Sequence, residues 1–247
     1  MTPCLRPRFA LPLAVLGAAC HEDRSSDSTP VPSTSTINLS LTFENALGSG
    51  GLRFLEVSEL RQGLDLDGDG DLFDRIAVIV DLDQRRLVDT RLSPGFPRSA
   101  ESPQPVVTVS DEAIAFAVSE AETGGLDRNG DGDALDRVLA LYERDTGIVT
   151  NLGVAARFVV ANAEVAAFDV PESQEGRDLD GDGDQDDDVP FVHDRRTGET
   201  WSTGLAGARV LGVDGGSVAL AVDEAVLGDR NGDGDALDSV LHLVLPP

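Results

Sequence analysis

Four ten-residue segments of this chain carry carboxylates or amides at alternate positions, the spacing with which a tightly curled backbone surrounds a hard cation with oxygen. They occupy residues 65–74, 127–136, 178–187 and 229–238 and share the pattern D-x-[DN]-G-D-G-D-x-x-D. The second and fourth are the same ten residues, DRNGDGDALD. In the first, Asp65, Asp67, Asp69 and Asp71 stand at positions 1, 3, 5 and 7, and Asp74 closes the loop. The glycines between them, Gly68 and Gly70, are free to take positive φ. The equivalent donors are Asp127, Asn129, Asp131, Asp133 and Asp136 in the second loop. The third has Asp178, Asp180, Asp182, Asp184 and Asp187, and the fourth has Asp229, Asn231, Asp233, Asp235 and Asp238. Calcium takes six to eight oxygens at about 2.3–2.6 Å and suits such a loop; magnesium keeps its waters and rarely uses an all-protein cage. Without a cation, the carboxylates of each loop crowd unfavourably, so bound calcium is expected to be structural.

The first six positions of each loop resemble the EF-hand loop. That resemblance implies that position 7 is read through its backbone carbonyl, so Asp71 contributes either its carboxylate or its carbonyl. The EF-hand also uses a glutamate at position 12, where this chain has Ile76. A glutamate precedes each loop at a similar distance: Glu59, Glu120, Glu172 and Glu224. It either supplies the missing carboxylate or simply ends a strand in solvent.

The elements that must hold these loops repeat with them. Loop starts are 62, 51 and 51 residues apart, the longer gap containing a proline-rich insertion at residues 93–105. Each loop follows a segment of the form [LF]-x-V-x-E and precedes a short apolar run, at residues 76–80, 138–142, 189–193 and 240–244. Two of those runs reach a Thr-Gly turn, Thr146-Gly147 and Thr197-Gly198, followed by segments 148–152 and 199–205. Another apolar stretch, such as 158–160 or 209–213, leads into the next unit. The unit therefore reads strand, strand, metal loop, strand, turn, strand. The run after the loop reads as strand and not helix, because 76–80 is rich in β-branched residues and Pro190 stands inside the third copy. In residues 113–118 bulky Ile114, Phe116 and Val118 alternate with Ala113, Ala115 and Ala117, so both faces are apolar, as in a sheet sandwiched between neighbours.

Four strands in about 50 residues is the size of a propeller blade. Over residues 37–247 the chain resembles exported bacterial propeller proteins with calcium loops, of the FG-GAP and TolB-type kind. It lacks the Phe-Gly and Gly-Ala-Pro signatures of FG-GAP repeats and places its last loop aspartate one position later. The expected fold is all-β and β-propeller-like, with units at 37–95, 105–153, 154–205 and 206–247; a β-solenoid or an open repeat array is the alternative. The fourth unit lacks a strand after its loop-following run. Residues 37–43, INLSLTF, alternate with period 2 and are expected to pair with residues 240–245 and close a four-bladed ring; the alternative is that they are simply the first strand of unit one, leaving the C-terminal edge open or paired with a second molecule.

The first 19 residues read as an export signal: Arg6 and Arg8, the apolar stretch 9–16, then Gly17-Ala18-Ala19. With Cys20 following, the segment resembles the lipobox of bacterial lipoproteins, which implies lipidation of Cys20; the preferred leucine three residues before the cysteine is replaced by Gly17. An ordinary secretory signal is the alternative. Cys4 lies in the export segment, so Cys20 has no intrachain partner in the exported chain. Residues 20–36, rich in Ser, Thr, Pro and Asp, read as a flexible tether.

Net charge is -26, and every basic residue is arginine. Such a charge repels nucleic acid and anionic headgroups and attracts cations. The three histidines, His21, His193 and His242, form no catalytic motif with a nucleophile, and no phosphate loop or zinc pattern is present. The expectation is a calcium-binding module, not an enzyme, anchored at the outer membrane or cell surface with an unidentified protein or glycan partner. A periplasmic or secreted location, a calcium-dependent hydrolase and a calcium-responsive adhesin are the alternatives.

Overall fold

The computed structural model describes residues 38–94 and 106–245. The export segment, Cys20, residues 21–37, most of the proline-rich insertion and the last two residues lie outside the described residues. The described residues from Leu41 onward belong to one compact unit.

The unit is all-β, built from four antiparallel sheets in chain order. The first contains β1 (Phe43–Ser49), β2 (Leu52–Ser58), β3 (Arg75–Asp81) and β4 (Arg86–Asp89). The second contains β5 (Val107–Val109), β6 (Ala113–Ser119), β7 (Arg137–Glu143) and β8 (Ile148–Ala155). The third contains β9 (Phe158–Ala161), β10 (Val165–Pro171), β11 (Asp188–Asp194) and β12 (Glu199–Ser202). The fourth has three strands: β13 (Ala208–Asp214), β14 (Ser217–Asp223) and β15 (Ser239–Val244). Every run expected to follow a loop is a strand, and each aspartate loop joins the second strand of its sheet to the third.

Period-2 alternation makes each middle strand two-faced, and in the second and third sheets each face meets a different neighbouring sheet. Ile114, Phe116 and Val118 pack with Leu52, Phe54 and Ile79 of the first sheet. The small face, Ala113 and Ala115, takes Phe168 and Val170 of the third sheet. Val165 and Ala167 in turn pack with Val218, Leu220 and Val222 of the fourth. Phe54 and Phe116 meet with ring centroids 5.3 Å apart. Buried side chains of this size each contribute roughly 1.5–3 kcal/mol, so these seams hold the array.

An ion pair locks two seams at the end opposite the loops. Arg144 follows β7 and donates from Nε and Nη2 to both Asp81 oxygens at the end of β3, at 2.9 Å each. Arg195 follows β11 and does the same to Glu143 at the end of β7, at 3.0 and 2.6 Å. Leu82 and Leu245 replace this arginine in the first sheet and this carboxylate in the fourth.

Ring closure by residues 37–43 does not occur among the described residues. Residues 38–42 are not strand, and β1, which begins at Phe43, pairs with β2. A two-residue turn, Gly50-Gly51, puts Ser49 opposite Leu52, so the edge strand of the first sheet is 43–49, which shares only Phe43 with the segment expected to close the ring. Among the described residues, β15 pairs only with β14.

Candidate metal centres

The four loops share one hydrogen-bond scaffold. Position 1 accepts from both glycines: Gly68 N–H donates to Asp65 Oδ1 at 2.6 Å and Gly70 N–H to Asp65 Oδ2 at 3.2 Å. Asp127, Asp178 and Asp229 accept the equivalent pairs. Positions 3, 5 and 7 each accept from the N–H two residues on, as Asp69 does from Asp71 at 2.9 Å and Asp71 from Phe73 at 2.7 Å. Two successive glycine bends allow the curl: φ is 89° and 106° at Gly68 and Gly70 and stays within the same region in the other loops. The strand ends are tied as well, since Glu59, Glu120, Glu172 and Glu224 N–H each donate to the carbonyl of the closing aspartate at 2.9–3.1 Å.

The preceding glutamates do not end their strands in solvent. All four are fully buried beneath the loops. Glu59 Oε1 accepts from Leu66 N–H at 2.6 Å, and its Oε2 takes Asp74 N–H at 3.4 Å. Glu120 accepts from Arg128 and, at 3.1 Å, from Asp136. Glu172 Oε1 accepts from Leu179 at 2.5 Å, and Glu224 Oε1 from Arg230 at 2.6 Å. One to three loop N–H groups thus organise around a buried carboxylate that the loop pattern alone does not contain. Its signal was its recurrence before all four loops. What sequence reading missed is the helical turn these glutamates begin at Glu59–Gln62, Glu172–Gln174 and Glu224–Leu227, too short to leave a period.

Several of these buried oxygens have no partner: Glu172 Oε2, Glu224 Oε2, Asp67 Oδ2 and Asp180 Oδ2. An unsatisfied buried carboxylate oxygen is costly, and a cation relieves it. Carboxylate oxygens of Glu59, Asp71 and Asp74 lie within 4.8 Å of one another, as do those of Glu120, Asp133 and Asp136 and of Glu172, Asp178 and Asp180. In the first three loops, then, two of the expected donors converge with the glutamate as an added member. The donor set is all oxygen, which fits calcium.

The crowding is visible in the acidities. Burial, then the charges of Asp71, Asp69 and Asp67, push the closing Asp74 up to about 7. Asp136 is likewise pushed to about 7 by burial and then Asp131 and Asp133. Asp187 is raised by burial first, and Asp238 by its hydrogen bond to Asp233. Asp178 moves the other way, held down by the Gly181 N–H. A carboxylate that resists ionisation beside three others is one that a divalent cation would discharge.

His193 is buried, with Nδ1 2.8 Å from Thr200 Oγ1, and burial pushes its imidazole pKa down. This contact ties β11 to its neighbour β12.

No protein-family model matches the chain, and no curated protein matches it. Among solved structures it is similar to an acylaminoacyl peptidase in complex with Z-Gly-Gly-Phe-chloromethyl ketone, at 12% identity and a TM-score of 0.40. The match covers 83% of this chain and 31% of that one. A likeness this distant carries no argument about activity.

Proposed function

We propose that this chain is a calcium-stabilised, β-propeller-like binding or structural module at a bacterial envelope, held there by lipid on Cys20. The observation that carries the calcium reading is the set of fully buried glutamates under four equivalent loops, two of them with an unpartnered oxygen. Each ion would be held by the aspartates, or the asparagine, at positions 1, 3, 5 and 7, by the closing aspartate, and by Glu59, Glu120, Glu172 or Glu224. The blade-like reading is supported by four antiparallel sheets stacked face to face in chain order. The anchor rests on the lipobox-like segment before Cys20 and on the polar stretch that follows it.

Native mass spectrometry in calcium tests the first claim: four added calcium ions per chain are expected, replaced poorly by magnesium. A chain that adds none at millimolar calcium would falsify it. Membrane fractionation tests the second. Cys20→Ser is expected to move the protein from the membrane to the soluble fraction; wild-type protein that is soluble and free of lipid excludes the anchor.

A further inference from the structure

The loops share a scaffold but not a charge, and the difference alternates along the chain. Position 3 is Asp67 in the first loop and Asp180 in the third, but Asn129 in the second and Asn231 in the fourth. Position 2 alternates in step: Leu66 and Leu179 against Arg128 and Arg230. The first and third loops hold five and six carboxylates with no arginine; the second and fourth hold four carboxylates and one arginine each.

Geometry turns this into a difference in ligands. In every loop one oxygen at position 3 is committed to the N–H of position 5. Asp67 Oδ1 accepts from Asp69 at 3.2 Å and Asp180 Oδ1 from Asp182 at 3.1 Å, while Asn129 and Asn231 Oδ1 accept from Asp131 and Asp233 at 3.4 and 2.8 Å. What remains is the second atom. In the aspartate loops it is Oδ2, buried and without a partner. In the asparagine loops it is an amide nitrogen, already spent as a donor. Asn129 Nδ2 donates to Gln174 O at 2.7 Å and to Asp136 Oδ2 at 3.4 Å. Asn231 Nδ2 donates to Asp233 Oδ2 at 3.2 Å and to Asp238 Oδ2 at 3.4 Å. Flipping the amide would bring its N–H₂ against the position-5 N–H and, in the second loop, break the bond to Gln174.

We infer that the four loops form two classes of calcium site alternating along the array, a tight pair at the first and third loops and a weak pair at the second and fourth. This rests on the calcium reading above. The tight loops offer one more anionic ligand and lack the arginine. The weak loops hold their closing aspartates by an internal amide that a cation must compete with. Calcium affinity follows ligand charge and number, so the classes are expected to differ by at least about tenfold. At intermediate calcium the array would be half loaded, with every other loop free, which makes the weak pair the part that responds to calcium concentration.

Calcium titration calorimetry on the full chain tests this. Two phases of two ions each are expected. Asn129→Asp with Asn231→Asp should merge them by tightening the second phase, and Asp67→Asn with Asp180→Asn should remove the tight one. Because the latter pair can weaken folding, circular dichroism in saturating calcium accompanies it, and the first pair, which adds ligands, decides alone if it unfolds. Four equal sites in the wild type, or a weak phase unmoved by Asn129→Asp and Asn231→Asp, overturns the two classes while leaving calcium binding intact. No calcium heat, with no bound ion by native mass spectrometry, overturns the calcium reading and this inference together.

Discussion

At the scale of single residues, buried carboxylates decide the behaviour of this chain. Glu120 illustrates their structural share. Glu120→Ala leaves the N–H groups of Arg128 and Asp136 without their acceptor, and is expected to cost about 1–3 kcal/mol in urea unfolding even without calcium. An unchanged midpoint would show that the glutamate does not organise its loop. Asp169 of β10 has a different task. It is buried at the seam between the third and fourth sheets, where Oδ1 accepts from Val210 N–H at 2.9 Å. Burial pushes it up to about 7. The folded protein therefore keeps this proton where the unfolded chain, with an ordinary carboxyl, has lost it. Stability falls as pH rises from about 4 to about 7 and stays low above that. Asp169→Asn keeps an acceptor for Val210 and has no charge to desolvate. It is expected to be the more stable form at pH 8, by about 2 kcal/mol, with the gap closing towards pH 4. Measuring the difference between the two proteins cancels the titration of the loops; a pH-independent difference would contradict the assignment. The loop donors themselves were legible in the sequence because their spacing repeats four times. The burial of the glutamates was not, since a carboxylate at a strand end reads equally as solvated.

At the scale of elements, the same residue pair appears in two situations. Leu139 and Leu141 of β7 are 0% and 2% exposed beneath the third sheet, while Leu241 and Leu243, at the equivalent places in β15, are 64% and 66% exposed. Leu139→Ala is expected to cost about 2–5 kcal/mol and Leu241→Ala under about 0.5 kcal/mol, read from urea midpoints. Equal costs would mean that the outer face of the fourth sheet is covered in solution. Period-2 alternation made β6 and its two apolar faces legible, and comparison across copies separated strand from helix at 137–143. The same rule misplaced residues 37–43, whose alternation is as regular. The strand that pairs with β2 is instead 43–49, the one next to the Gly50-Gly51 turn, since a two-residue hairpin needs far less chain ordering than a pairing between segments about 200 residues apart.

At the scale of the whole molecule, four stacked sheets carry a net charge of -26 whose densest parts are the four loops, all between second and third strands. The described residues bring neighbouring sheets together through apolar seams and two arginine ion pairs, both at the far end from the loops. Burial and crowded neighbours raise Asp74 and Asp136 at the loop end, and a bound cation is what would discharge them. Stability and metal should then be linked across the array. At a calcium concentration 100 times the dissociation constant, each independent site adds about 2.7 kcal/mol. The most direct test is a thermal melt of metal-stripped protein in chelator and again in 1 mM calcium, with elemental analysis of the same sample. A single unfolding transition that rises steeply with calcium, alongside bound calcium in the folded protein, is the predicted result; identical melts with no metal in either sample would contradict the account.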